Sequence, residues 1–311
     1  MCQFNTAPHV FFFFHFSAFY YNICTFASQK QIDTDRVSTY IRQVLQDIYP
    51  PQELKSLTMM IWCDLLGMDA LDIYLGKDIN LSESKRYELE NILQRLRKNE
   101  PIQYIRKMAS FLGRSFYVAP GVLIPRPETE ELVELIAKEN LNDAPRILDI
   151  GTGSGCIAIS LFLAIPQAQV TAWDISEEAL VVARRNSEVL GAAVFFEQKD
   201  VLAEIDSEQR FDIIVSNPPY VTESEKADME PNVLDWEPEL ALFVPDNDPL
   251  RFYRRIAVLG RKLLNPGGKL YFEINRAYGC EIVCMLTDLG YCHPCIIKDI
   301  SGNDRIVTTH K

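Results

Sequence analysis

Positive charge is scarce in this chain. Lysine and arginine number 31 against 43 aspartates and glutamates, giving a formal net charge of −12 and a pI near 4.9. A surface with that balance repels phosphate backbones and disfavours unaided binding to DNA or RNA. A disulfide framework is missing as well: the eight cysteines are scattered through 311 residues. That usage points to a reduced, cytoplasmic protein. No Lys or Arg precedes Lys30, so the basic opening of a signal peptide is absent. The same stretch holds an uncharged run from Val10 to Ala27, including Phe11-Phe12-Phe13-Phe14, whose length approaches a membrane span. His15, Ser17, Asn22 and Ser28 interrupt it. Residues 1–30 therefore read as an apolar extension outside the functional fold, from an upstream start codon, in preference to a membrane anchor.

Apolar residues are plentiful. At 48% hydrophobic, the chain can bury real cores, and its length allows two domains. Residues 31–105 read as a small helical bundle. Val37, Tyr40, Ile41, Val44, Leu45 and Ile48 recur at helical spacing until Pro50-Pro51. A second helix starts at Pro51 and carries Leu54, Leu57, Ile61, Leu65 and Leu66 to Gly67. A third opens at Ser82 and buries Leu89, Ile92, Leu93 and Leu96. Nothing in the bundle looks catalytic, which suits packing or partner recognition.

Residues 106–123 read as a β-hairpin linker turning at Gly113-Arg114. Then Leu123-Ile124-Pro125-Arg126-Pro127-Glu128-Thr129-Glu130 makes a rigid entry to a helix carrying Leu132, Val133, Leu135 and Ile136, with Thr129 or Glu128 as its cap. A plain helix-start linker explains the prolines and acids but leaves Arg126 without a role.

Residues 124–311 alternate strand and helix, which implies a doubly wound, mostly parallel sheet in the α/β class. Strands fall at Arg146–Ile150, Val170–Asp174, Ala193–Glu197, Phe211–Ser216 and Lys269–Ile274. The turn Gly151-Thr152-Gly153-Ser154-Gly155 leads from the first strand into a helix over Cys156–Ala164. Gly153-x-Gly155-x-x-Ala158 can be laid on a dinucleotide fingerprint, which wants a pyrophosphate at the helix N-terminus. Asp149, on the strand just before the turn, would repel phosphate and instead suits an ammonium. Asp174 ends the next strand and can accept both hydroxyls of a ribose, while Asp200-Val201 can meet an adenine edge. Amino acid at one end and adenosine at the other describes S-adenosyl-L-methionine, so methyl transfer is favoured over nicotinamide chemistry.

The fourth of those strands ends in Asn217-Pro218-Pro219-Tyr220. Proline fixes φ, offers no N–H, and restricts the residue before it, so this is a stiff loop at the carboxyl edge of the sheet. The Asn217 side-chain oxygen and the Pro218 carbonyl can both accept hydrogen bonds, and Tyr220 adds an aromatic face. That set suits a planar group bearing an NH2; the plain alternative is a strand-ending turn.

One further cluster carries ligand-type residues. Cys280 and Cys284 lie one helical turn apart, and Cys292-His293-Pro294-Cys295 follows. The spacing admits zinc. Ile282, Val283 and Leu286 share the helix, however, and free cysteines commonly pack as small apolar residues, so no metal is expected.

Together, Asp149-x-Gly-x-Gly-x-Gly, Asn217-Pro218-Pro219-Tyr220 and the Ile124–Glu130 segment resemble the HemK/PrmC family, methyltransferases of the glutamine in the Gly-Gly-Gln motif of peptide chain release factors. The likeness runs from about Thr34 to Val307 and takes in Glu237-Pro238, Phe272-Glu273-Ile274-Asn275 and Lys298-Asp299 with Gly302-Asn303-Asp304-Arg305. Lys107 departs from it, standing where glycine is usual. The resemblance implies a class I S-adenosylmethionine-dependent methyltransferase domain with Rossmann-like topology and a helical substrate-recognition domain. It implies a monomer acting on release factors. Its cofactor residues would be Asp149, Gly151, Thr152, Gly153, Ser154, Gly155, Asp174, Asp200, Val201 and Asn217. Asn217, Pro218 and Tyr220 would serve catalysis; Pro219, Arg126 and Glu128 would join them around the substrate, with Glu130 shaping its approach. The four-residue loop alone also occurs in adenine and cytosine amino-methyltransferases, so nucleic acid is the alternative substrate.

Overall fold

The computed structural model describes residues 32–74, 78–79, 81–141 and 144–311. The apolar run at Val10–Ala27 lies outside them. The chain divides into two units after Lys98.

In the first unit, α1 (Thr34–Leu45) and α2 (Pro51–Met60) are joined around Pro50, and α3 spans Glu83–Leu96. Val37, Ile41 and Leu45 of α1 are buried with Leu54, Leu57, Leu89, Ile92, Leu93 and Leu96, a stripe at helical spacing from each helix. Ser82 caps α3 by accepting from the Lys85 N–H. The second helix does not continue regularly to Gly67. Its last turn, Ile61–Leu65, widens so that the Leu66 N–H reaches back to the Ile61 carbonyl.

In the second unit, the hairpin of β1 (Met108–Phe111) and β2 (Arg114–Tyr117) pairs Phe111 with Arg114. The turn is therefore Leu112-Gly113, one residue earlier than the sequence suggests. Both residues have positive φ, 47° and 69°, as a two-residue hairpin turn requires. The Glu130 carboxylate accepts the Leu112 N–H and steadies this turn. Glu130 belongs to α4 (Pro127–Glu139), which begins at Pro127 with Arg126 before it. Neither Thr129 nor Glu128 caps that helix, because Pro127 moves its start upstream of both.

The central sheet is built from β3 (Arg146–Ile150), β4 (Gln169–Asp174), β5 (Phe195–Gln198), β6 (Phe211–Ser216), β7 (Leu264–Glu273), β8 (Cys292–Lys298) and β9 (Asp304–His310). Its strand order is β8-β9-β7-β6-β3-β4-β5. From β7 to β5 all pairings are parallel; β9 runs antiparallel to both β7 and β8. Alternating side chains split between two cores. Ile147, Ile213 and Val215 face one core with Leu132, Ile136 and Ile157, whereas Leu148, Ile150 and Ile214 face the other with Ile256, Leu259 and Ile282. Helices α5 (Cys156–Ala164), α7 (Arg251–Leu263) and α8 (Gly279–Asp288) cover these faces, and α6 (Glu177–Leu190) contributes Ala179 and Val182 to a third cluster beside the hairpin. After β3 the chain builds outward through β4 and β5, then returns to place β6 on the other side of β3. That reversal creates a crevice at the carboxyl ends of β3 and β6, where open α/β sheets take their ligands.

Candidate active site

A cavity of about 370 Å³ opens at that crevice, within the range that small-molecule sites occupy. Of the residues expected from the sequence, Gly151, Gly153, Asp174, Asp200, Val201, Asn217, Pro218 and Pro219 line it. Lys199, Leu202, Pro238, Leu240 and Phe252 complete much of the wall, and no sequence motif had marked them as a group.

Each lining group is positioned by local bonding. The N–H groups of Gly151 and Thr152 both donate to the Trp173 carbonyl, at 2.8 and 3.0 Å, which ties the glycine turn to β4. Gly151, Gly153 and Gly155 adopt φ of 76°, 54° and 82°, a region that disfavours other residues. At Gly155 a Cβ would also come within 2.9 Å of the Ile159 side chain, so this glycine serves packing. Asp174 accepts from the Gly153 N–H at 2.8 Å and the Ser176 N–H at 2.9 Å, one on each carboxylate oxygen. Burial raises its pKa, against the backbone hydrogen bonds from Ser176, Gly153 and Ile175. Asp200 folds back on the Leu202 N–H at 2.8 Å.

Several expected residues stand outside the cavity wall. Asp149 is fully buried behind the glycine turn; its Oδ2 accepts from the Thr152 hydroxyl at 2.6 Å, and its Oδ1 has no hydrogen-bond partner. Burial pushes its carboxyl up to about 7. Ser154 is also buried, and its carbonyl accepts from Asn186, whose side chain binds the Tyr117 backbone too. Tyr220 packs its ring against the second core and donates its hydroxyl to Glu273 Oε1 at 3.3 Å, so it does not present a face to the cavity. Glu128 is half-buried at the start of α4, outside the wall.

Arg126 gains a role. Its guanidinium donates to Glu237 Oε1 at 2.6 Å, and Glu237 Oε2 accepts the Ile124 N–H at 3.1 Å. The Glu237 side chain is only 2% exposed, so this pair fixes two wall segments against each other: Val122-Leu123 and Pro238–Ala241.

Sequence reasoning missed Thr129 and Glu273 as site residues. The Thr129 hydroxyl donates to Glu273 Oε2 at 2.6 Å and accepts from Asn217 Nδ2 at 3.3 Å. Glu273 ends β7 after Leu270-Tyr271-Phe272 and is 1% exposed. An acid closing so apolar a strand was the available signal.

The C-terminal cysteines differ from expectation. Cys280, Cys284, Cys292 and Cys295 are exposed free thiols rather than core residues, because Ile282 and Leu286 take the buried side of α8 and β8 is the sheet edge. Among the described residues, no group of three or more His, Cys, Asp or Glu is placed to hold a metal ion.

Comparison with known proteins fits this geometry. The family model of the PrmC N-terminal domain matches residues 37–106, and that of the methyltransferase small domain matches residues 127–234. The release factor glutamine methyltransferase of Bacteroides thetaiotaomicron is 67% identical over 279 residues, covering 89% of this chain and 100% of its own. This chain belongs to the HemK/PrmC family of release factor glutamine methyltransferases. Other members include the enzymes of Flavobacterium psychrophilum, 45% identical over 86% of this chain and 96% of its own, and Streptococcus pneumoniae, 43% identical over 75% and 82%. The doubly wound, mostly parallel sheet is the class I methyltransferase architecture that membership implies. Among the described residues, no helix is long and apolar enough to cross a membrane.

Proposed function

We propose that this HemK/PrmC family member transfers a methyl group from S-adenosyl-L-methionine to the side-chain amide nitrogen of the glutamine in the Gly-Gly-Gln motif of peptide chain release factors. One observation carries this reading: a single cavity is bordered both by a glycine turn with Asp174 and by the Asn217-Pro218 pair of acceptors.

The residues present fit the cofactor. A Cβ at Gly153 would meet nothing within 4 Å, so backbone alone borders that part of the cavity. The Asp174 carboxylate, held by backbone N–H groups, faces the cavity and retains acceptor capacity for ribose hydroxyls. Asp200 and Val201 line the same cavity and are assigned to the adenine edge, and Asp149 supports the turn from behind through Thr152. When bound, S-adenosylmethionine supplies an electrophilic methyl group on its sulfonium.

An amide nitrogen is a weak nucleophile because its lone pair is delocalised into the carbonyl. The chain's task is therefore to position it. Asn217 Oδ1 and the Pro218 carbonyl accept its two N–H groups and fix the plane of the amide, and Pro218-Pro219 keep that loop from yielding. Such positioning supplies roughly 7–11 kcal/mol in favourable cases. The charge of −12 supports a protein partner over nucleic acid. The helical unit is assigned to recognition of that partner, and the protein is read as a cytoplasmic monomer.

Calorimetric titration with S-adenosylmethionine, followed by turnover on release factor, tests the assignment. Asp174→Ala is expected to weaken cofactor binding by about tenfold or more, the loss of hydrogen bonds to a charged group. Asn217→Ala should keep most of that affinity and lose turnover by at least about tenfold. Parental affinity in the first variant contradicts the ribose role, and parental turnover in the second contradicts the amide role.

A further inference from the structure

The Asn217 amide is not free to turn. Its Nδ2 faces Thr129 Oγ1 at 3.3 Å, and Thr129 Oγ1 in turn lies 2.6 Å from Glu273 Oε2. Tyr220 holds the other oxygen of the same carboxylate at 3.3 Å. Thr129 and Glu273 are 2% and 1% exposed, so water cannot substitute for either partner.

The direction of every proton in this chain follows from one end. Burial favours the protonated form of Glu273, but once ionised, with the Tyr220 hydroxyl donating to its other oxygen, the carboxylate only accepts and takes the single hydroxyl proton of Thr129. Thr129 then has only lone pairs to offer Asn217. The NH2 edge of Asn217 satisfies them and its oxygen cannot. That oxygen is left for the cavity that Asn217 lines.

We propose that Thr129 and Glu273 are positioning residues that lock the Asn217 amide with its oxygen as the acceptor, and thereby make the site select an NH2-bearing side chain over a carboxylate of the same shape. This rests on the glutamine-methylation reading above. Two acceptors, Asn217 Oδ1 and the Pro218 carbonyl, match the two hydrogens of a glutamine amide and oppose a glutamate. Were the lock absent, the Asn217 amide could rotate, exchange an acceptor for a donor, and lose part of that discrimination.

The test uses the full chain with release factor carrying either Gly-Gly-Gln or Gly-Gly-Glu. Thr129→Val removes the hydroxyl while keeping the branched shape, and Thr129→Ser keeps the hydroxyl. Thr129→Val is expected to lower kcat about tenfold with cofactor affinity little changed, and to narrow the ratio of the two factors' dissociation constants by about threefold or more. Thr129→Ser should recover most of both. Glu273→Gln should behave like Thr129→Val, because its amide can donate to Thr129 and release the hydroxyl proton toward Asn217; it carries the comparison if Thr129→Val does not fold. Variants with the parental kcat and the parental ratio overturn the proposal, as does a Thr129→Ser as defective as Thr129→Val. Failure of the glutamine reading would show separately, as absence of methyl transfer by the parent.

Discussion

Asp149 sets the clearest pH dependence at the scale of single residues. It is fully buried with one oxygen unpartnered, and burial lifts its carboxyl from an ordinary 3.8 to about 7, with the nearby Asp174 charge adding a smaller push. A carboxyl whose folded pKa exceeds its unfolded value favours the fold most when protonated. Its contribution is full below the unfolded value and is lost as pH rises through about 7. The ligand-free protein is therefore expected to lose melting temperature as pH rises from the ordinary carboxylate value of 3.8 to about 7. Asp174 and Glu273, also raised by burial, act in the same direction, so the informative comparison is parent against variant. Asp149→Asn should flatten the profile in thermal melts across that window; a profile parallel to the parent's would contradict an Asp149 that takes up a proton on burial. The placement of Asp174 and Asn217 at the carboxyl edge of the sheet was legible in sequence, because each closes a short apolar strand. The Thr129–Glu273 bond was not, since it joins residues 144 positions apart and only the packing of α4 over the sheet brings them together.

At the scale of elements, local chemistry was readable where it was strong. Cys156–Ala164 is apolar almost throughout and follows a glycine turn, and its helix has the expected bounds. Arg146–Ile150 and Phe211–Ser216 likewise form strands with the expected bounds. Cys292–Lys298 and Asp304–His310 were overlooked as strands. Pro294 interrupts the first, and the antiparallel pairing of the second lies outside the alternating strand–helix pattern. Lys107 shows a local rule being broken in place. It ends a short helix, Ile102–Arg106, in the left-handed conformation with φ 55°, the position where glycine is favoured. That conformation costs a non-glycine residue about 1–2 kcal/mol, offset in part by the smaller unfolded-state entropy of lysine. Lys107→Gly is accordingly expected to raise the melting temperature by roughly 1–4 °C in scanning calorimetry. A lower melting temperature would show that the lysine side chain contributes more than its backbone strain removes.

For the whole molecule, the decisive feature is the reversal of strand order between β3 and β6. It brings the glycine turn and the Asn217 loop, separated in sequence by three strands and two helices, to one cavity whose far wall is pinned by Arg126–Glu237. The acidic charge of −12 bears on the choice of partner, because an enzyme that flips a base from duplex DNA must first hold the phosphate backbone. The measurement that reaches the central claim most directly is transfer of labelled methyl from S-adenosylmethionine, with release factor, its Gly-Gly-Gln variant carrying Gln→Ala, and duplex DNA offered in parallel. The account predicts label on the factor, none on the Gln→Ala variant and none on DNA. Label that persists in the variant, or that appears on DNA, would contradict it.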